Sequence, residues 1–150
     1  MLFRSVRAMK EISGLNTVAN SILCTIDLSE SSKPAIRWAV TMAQQLKMHL
    51  TILYTYRLLQ YRNGEVLQLK REMEDEAKKQ FIILEKELLM GRGIAYDFKT
   101  EVGFVTDRIE DHARKNSLSF LVMNKNANES GKETIDDLME HIHVPVLLVP

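Results

Sequence analysis

The stretch Ile22-Leu23-Cys24-Thr25-Ile26-Asp27-Leu28-Ser29-Glu30 decides the fold. It is an apolar run that ends at an acid and a serine, and a helix-patterned segment and a second apolar run follow it up to Arg57. This order is typical of a βαβ unit in a parallel sheet. Because parallel α/β folds bind ligands beyond the carboxyl ends of their strands, we expect Asp27 and Ser29 to face a small-molecule site.

Short apolar runs and helical stripes keep alternating along the rest of the chain, which is typical of an α/β fold. The first helix begins after Ser31 or Ser32 as its N-cap and presents one apolar face as far as Leu46. Five strands are predicted, near residues 21–26, 49–56, 94–100, 119–123 and 145–149.

A second long helix is predicted over residues 65–90. Its apolar stripe is opposed by a charged run from Lys70 to Lys79, which we interpret as a solvated face. Gly91-Arg92-Gly93 then ends the helix, because glycine adopts the left-handed conformation without a Cβ clash.

The third and fifth strands carry information about the edges of the sheet. Polar and charged residues alternate with aromatic ones between Tyr96 and Glu101, so this strand has one wet face and lies near an edge. The last strand is apolar throughout between Pro145 and Pro150. A free edge of that kind promotes aggregation, so we expect a second copy of the chain to cover residues 145–149 in a homodimer.

Composition restricts the class of protein. The chain has 150 residues, enough for one domain, and twenty basic residues balance twenty acidic ones, which gives no bulk charge for nucleic acid. No apolar run is long enough for a membrane span. We expect a frayed or short helical leader over residues 1–19, with a transit peptide as the alternative, and a cytoplasmic domain over residues 20–150.

Taken in order, these segments resemble the universal stress proteins of the UspA superfamily over residues 21–150. The first strand and its turn match the family's apolar strand followed by Asp, any residue and Ser. The other matching segments are 35–43 and 50–54 for the first helix and second strand, Gly103 with Ile109 and Ala113 for the start of the third helix, 120–123 for the fourth strand and 144–149 for the last.

The resemblance implies a three-layer Rossmann-like fold. Its five-stranded parallel sheet has the order 3-2-1-4-5, with helices on both faces and a nucleotide cleft between strands 1 and 4. One branch of the family holds ATP, and the other lacks the phosphate loop. In the ATP branch, a glycine after strand 4 is followed three positions later by a second, and nine residues then precede Gly-Ser or Gly-Thr.

This chain departs from the ATP-binding pattern. Asn124 and Ala127 stand at the two glycine positions, and the next glycine, Gly131, comes after only three residues and is followed by Lys132. Glycines let the backbone approach phosphates, and the shortened segment lacks about six residues. The resemblance therefore implies the branch without a phosphate loop, and we expect no tight binding of ATP and no cofactor.

What remains is a degenerate nucleoside cleft. Its candidate residues are Asp27, Ser29, Thr55, Met123, Asn124 and Asn126, with Thr55 at the position where family members contact adenine. Two interpretations of Asp27 stay open: it is a contact to a nucleoside, or it caps the turn by accepting backbone N–H bonds. The alternative function, a switch that binds AMP, ADP or ATP, adds Lys125 near a mono- or diphosphate.

The sequence contains only weak evidence for other kinds of functional site. The four histidines show no metal-ligand spacing, and solvent-facing or capping roles are expected for them. The segment 130–134 lacks the glycine spacing of a P-loop, Cys24 fits a core position better than a nucleophile, and Trp38 fits packing or an interface. We therefore expect a non-enzymatic, homodimeric binding or signalling module of the stress response, with slow nucleotide hydrolysis as the enzymatic alternative.

Overall fold

One sheet of five parallel strands forms the centre of the computed structural model, which describes residues 21–58, 65–115, 117–125 and 135–150. The spatial order is β3-β2-β1-β4-β5 and every neighbouring pair is parallel. This is the expected sheet order. The strands are β1 (Ser21–Ile26), β2 (His49–Tyr56), β3 (Tyr96–Val102), β4 (Leu118–Asn124) and β5 (Val146–Val149).

Helices connect the strands in the alternating order that the sequence predicts. A 3-10 turn over Glu30–Ser32 precedes the first helix, and a π-helical turn over Glu85–Leu89 extends the second. The helices are α1 (Lys33–Leu46), α2 (Val66–Leu84), α3 (Val105–Lys115) and α4 (Ile135–His141).

Two hydrophobic clusters lie on opposite faces of the sheet. Alternate side chains of β1 point to opposite faces, so Ile22 and Cys24 join a cluster with α1 and α2, while Leu23 joins Ile109 of α3 and Leu138 of α4. The helices therefore cover both faces, which confirms the three-layer Rossmann-like class.

Helix α1 forms as its apolar spacing predicts, but its start differs in detail. Pro34 occupies the first turn, and Lys47, which follows the last helical residue Leu46, caps the helix with a φ of +57°. Ser32 is the N-cap residue, yet its hydroxyl makes no capping bond to the helix amides because it is bonded to Asp27 instead. Trp38 is 54% exposed, so of its two expected roles the packing one is wrong.

Helix α2 buries Ala77 and Leu84 of the predicted apolar stripe, whereas Leu69 and Met73 near its start are half-buried. Phe81, which the prediction did not include in the stripe, is also buried and stacks on Phe98 of β3, with ring centroids 4.0 Å apart. The π-helical turn adds a residue to the last turn, and both Leu88 and Leu89 are buried there. Gly91 and Gly93 follow with φ of +75° and +72°, which confirms the predicted stop.

Strand β3 begins two residues later than expected, at Tyr96, and extends to Val102. The left-handed backbone at Gly93 delays its entry into the sheet, since the first bond to β2 runs from the Leu50 amide to the Ala95 carbonyl, at 2.9 Å. As predicted, β3 is an edge strand. Strand β5 forms the opposite edge.

Several sequence predictions lie outside the described residues. These are the leader over residues 1–19, the candidate contact Asn126, the departures at Ala127 and Gly131, and the segment 130–134. In the described part of the chain, no helix has the length and apolar character needed to cross a membrane.

Candidate functional site

The carboxyl ends of three neighbouring strands bring the predicted cleft residues to one edge of the sheet. In the register, Ile26 of β1 pairs with Tyr54 of β2, and Thr25 pairs with Met123 of β4. Asp27 directly follows β1, while Thr55 and Asn124 are at the ends of the two flanking strands. Five of the six candidate residues therefore meet at this edge, and the sixth lies outside the described residues.

Asp27 is held in a tight turn by its own neighbours. Leu28 has a φ of +67°, and its left-handed backbone lets the chain fold back on the carboxylate. The Asp27 Oδ1 atom accepts bonds from the Ser29 amide at 2.9 Å, the Ser29 hydroxyl at 2.6 Å and the Ser32 hydroxyl at 2.6 Å. In return, Ser32 Oγ accepts the Asp27 amide at 3.0 Å.

A chain of hydroxyls extends this turn. Ser31 Oγ and Ser29 Oγ are 2.6 Å apart. Because the single proton of the Ser29 hydroxyl is donated to Asp27, Ser31 is the donor in the second bond. The hydroxyls are thus oriented toward the carboxylate, as bonds to an ionised acceptor require.

The electrostatics of this edge favour a charged Asp27. Partial burial acts to raise the pKa of its carboxyl, but the hydrogen bonds from Ser29 and Ser32 outweigh it and leave the pKa below the ordinary value. Burial, and then the charge of Asp27, raise the pKa of the nearby Tyr54 phenol. At neutral pH the edge therefore carries a carboxylate beside a protonated phenol, which can donate a hydrogen bond.

Two of the predicted residues on β4 serve the fold. The Met123 side chain is fully buried in the cluster with Leu23 and Leu53. Asn124 is also buried, and its amide donates to the Ser31 carbonyl, which ties the end of β4 to the 3-10 turn. Both side chains are therefore used in the packing of the carboxyl edge, Met123 on one face of the sheet and Asn124 on the other.

Thr25 is a residue at this edge that the sequence analysis missed. It is only 3% exposed, and its Oγ1 has no hydrogen-bond partner within the described ranges. Strand alternation places Thr25 and the half-buried Thr55 on the same face of the sheet, toward α3 and α4. A buried hydroxyl without a partner costs about 1–3 kcal/mol, so a polar group that enters here would gain binding energy.

Aromatic side chains line the other face at the end of β2. The rings of Tyr54 and Tyr56 are stacked with centroids 6.1 Å apart, and the Tyr56 hydroxyl donates to Glu74 of α2 at 2.6 Å. Alternation of aromatic residues in β2 was visible in the sequence and is the one signal that could have indicated this wall.

The described histidines differ from one another. His49, His141 and His143 are exposed, whereas His112 is buried and its Nε2 lies 3.1 Å from Glu101 Oε1. The expected solvent-facing or capping role is therefore wrong for His112, because it shares the inward face of α3 with Ile109, three residues earlier. Nowhere in the described ranges do three His, Cys, Asp or Glu side chains converge as metal ligands.

The comparison with known families decides the relationship. A sequence model of the Universal stress protein family matches residues 19–150. The chain belongs to the universal stress protein family. This agrees with the βαβ start, the sheet order and the turn at Asp27. A comparison with curated proteins found no match.

Solved structures of family members share the fold. The chain is 20% identical to the universal stress protein UspA from Lactobacillus plantarum, with a TM-score of 0.70, over 90% of this chain and 100% of the other. It is 13% identical to a universal stress protein from Archaeoglobus fulgidus in complex with dAMP, with a TM-score of 0.61, over 89% and 100%. It is 15% identical to a family protein from Arabidopsis thaliana with AMP bound, with a TM-score of 0.56, over 87% and 90%.

Proposed function

We propose that this universal stress protein is a non-enzymatic, cytoplasmic binding or signalling module of the stress response that does not hold ATP tightly. The strongest support comes from Asn124. It stands where the ATP-binding branch has a glycine, and its buried amide is committed to the Ser31 carbonyl. A side chain fixed in this way occupies space into which a glycine would admit phosphate oxygens.

Asp27 supports the same proposal. Three donors of its own turn converge on one carboxylate oxygen, so much of its bonding capacity is used within the protein. This geometry favours the interpretation in which Asp27 caps the turn. The turn then presents a shaped, anionic surface at the carboxyl edge rather than a grip for a triphosphate.

A second candidate function is a switch that binds a nucleoside monophosphate. It is favoured by the hydroxyl of Thr25, which has no hydrogen-bond partner among the described residues, and by two related structures, one in complex with dAMP and one with AMP bound. A monophosphate requires fewer phosphate contacts than ATP does. The alternative therefore keeps the nucleoside part of the cleft and dispenses with the glycine-rich loop.

Mass spectrometry of the protein purified without added nucleotide tests the two candidates. If the protein is a binding module that holds no nucleotide, the native mass should equal the mass of the chain or of its dimer. A retained adenosine monophosphate would favour the switch, and retained ATP would contradict the first proposal. Absence of phosphate release from ATP, above a no-protein control, is expected for a non-enzymatic module.

We further propose that the module is a homodimer through the edge formed by residues 145–149. One side of β5 pairs with β4, where the Lys125 amide bonds to the Val149 carbonyl at 2.8 Å. The strand is at the edge of the sheet, and Leu148 on it is 38% exposed. An apolar edge strand of this kind is stabilised when a second strand pairs with it.

Sedimentation of the chain at micromolar concentration tests the dimer. We expect the wild type to sediment as a dimer and Leu148→Lys to sediment as a monomer, because a charge on the paired strand must be desolvated in the interface. Leu67→Lys, at an exposed position on α2, is the matched control and should remain dimeric. A monomeric wild type would overturn the proposal.

A further inference from the structure

A second concave site lies at the amino-terminal edge of the sheet, opposite to the edge that carries Asp27. It is an open groove of about 300 Å³ between the starts of the central strands and the end of α3. Its size is at the lower end of the range for small-molecule pockets. The polar side chains that line it are those of Ser21, His49, Thr51, Asp97, Lys99, His112, Lys115 and Ser117.

A hydrogen-bonded group fixes one wall of this groove. Asp97 Oδ1 lies 2.8 Å from His49 Nε2 and accepts the Thr51 hydroxyl at 2.8 Å. Because an ionised carboxylate only accepts, the His49 Nε2 atom carries the proton in this bond. The carboxylate of Asp97 is thus fixed in position by two donors from β2.

The same geometry argues against nucleophilic catalysis in the groove. An activated hydroxyl donates its proton to a histidine, which an acid orients from the other side. Here the Thr51 hydroxyl and the His49 imidazole both donate to the same oxygen of Asp97, so His49 does not accept the proton of the hydroxyl. The arrangement is suited to binding rather than to covalent chemistry.

The second wall carries a further acid that is already paired. Glu101 follows Asp97 and Lys99 on the same face of β3, and its carboxylate bonds to the buried His112 of α3 at 3.1 Å. Glu101 is therefore turned toward α3 and does not neutralise Lys99. The two acids of this strand face are both engaged with histidines.

Two lysines remain at the groove with their charges uncompensated. Lys99 of β3 and Lys115 at the end of α3 are exposed, and neither forms an ion pair or a hydrogen bond with any residue that the structure describes. Asp97 is the one carboxylate among the lining residues. The groove thus combines an excess of positive charge with fixed polar walls.

We infer that this groove binds a small phosphate-bearing metabolite. Lysine ammonium groups bind phosphate as point charges, and two of them at one groove suit a doubly charged oxyanion. Eight of the eleven lining residues have polar side chains that can orient a hydroxylated molecule, and the volume suits a compact one. The site is separate from the nucleotide cleft and does not depend on the function proposed above.

One competing explanation needs no ligand. Lys115, with His112 and Arg114, lies in the last turn of α3, where cations offset the partial negative charge of the helix end. If this were its whole role, removing the charge would lower stability slightly and leave the affinity for anions unchanged. The experiment therefore measures binding and does not rely on stability.

An NMR titration of the full chain with glycerol 3-phosphate tests the inference. We expect saturable shifts of the Ser21, His49 and Ser117 amides, and a dissociation constant about tenfold or more higher for the double variant Lys99→Ala/Lys115→Ala. Lys78→Ala/Lys79→Ala on α2 removes the same charge away from the groove and should bind as the wild type does.

Inorganic phosphate in a parallel titration identifies the source of the anion. Equal affinity for both probes supports a site for the free ion, and tighter binding of glycerol 3-phosphate supports a phosphate ester. Shifts that never saturate, or equal weakening by the groove and control variants, would overturn the inference and leave only nonspecific charge attraction.

Discussion

At the residue scale, Asp27 shows how one side chain can meet two requirements. The carboxylate stabilises the left-handed turn at Leu28 through donors from Ser29 and Ser32, and it places a negative charge at the edge where related folds hold ligands. Since these bonds are made within the protein, they contribute to its stability.

We expect Asp27→Ala to lower the free energy of unfolding by about 1 kcal/mol, the usual cost of losing a capping side chain. Asp27→Asn should lose less, because its amide oxygen still accepts bonds from the turn. Urea unfolding of both variants provides the measurement, with Asp75→Ala on the exposed side of α2 as the control. A stability equal to wild type for Asp27→Ala would refute the capping role.

The lowered pKa of Asp27 predicts the sign of a pH effect. In the folded state the carboxyl binds fewer protons than in the unfolded state, so its contribution is fully present above its ordinary pKa of 3.8. The contribution is lost as the pH falls through the lower pKa of the folded state. Unfolding between pH 3 and 6 should show a shallower loss of stability for Asp27→Asn than for wild type; parallel curves would exclude the effect.

Cys24 should be chemically silent in the native protein. It is fully buried, and burial raises the pKa of its thiol to about 12, so the thiolate is scarce at neutral pH. We expect no reaction with an aromatic disulfide reagent under native conditions and one thiol equivalent in urea. Rapid labelling of the folded protein would show that β1 opens locally.

The sequence predicted some of these residues and not others. Asp27 and Ser29 follow directly from the position of a strand end. The committed amide of Asn124, the buried hydroxyl of Thr25 and the pairing of His112 with Glu101 depend on which side chains the folded chain brings together. The local sequence pattern around each residue contains no information on those long-range contacts.

At the element scale, α2 anchors the edge strand β3 to the core. The stacked rings of Phe81 and Phe98 are nearly parallel, with an angle of 3° between their planes. Because β2 is the one neighbour of β3 among the strands that the structure describes, contacts from α2 matter more for β3 than for a central strand.

A double-mutant cycle with Phe81→Leu and Phe98→Leu should give a coupling energy of about 0.5–1.5 kcal/mol, as aromatic pairs do. The control cycle pairs Phe81→Leu with Phe104→Leu, because Phe104 packs on Arg57 rather than on Phe81. Thermal or urea unfolding measures both cycles. Additive effects in the first cycle would mean that the rings do not stabilise each other.

The positions of the helices and strands were largely predictable, because the hydrophobic period of a long segment indicates whether it is a helix or a strand. The exact residues at which the elements begin and end were less predictable. The π-helical turn at Glu85–Leu89 adds a single residue, which the spacing of the apolar residues does not predict. The late start of β3 depends on the conformation of Gly93.

At the scale of the whole molecule, the two edges of the sheet have different chemistry. The carboxyl edge carries Asp27 and its hydroxyls, whereas the amino edge carries Lys99, Lys115 and a fixed carboxylate. The sheet order followed from the family resemblance. The amino-edge groove did not, because its walls come from strands and a helix that are far apart in the chain and meet only in the parallel sheet.

The central proposal is that the cleft at the carboxyl edge, beside Asp27, lacks the backbone contacts that would hold a triphosphate. Calorimetric titration with ATP and AMP in magnesium buffer tests this proposal most directly. We expect ATP to bind no more tightly than AMP, with a dissociation constant for ATP of about 1 mM or weaker, because the γ- and β-phosphates would add charge without adding backbone contacts. Micromolar binding of ATP that exceeds the affinity for AMP tenfold would contradict the account.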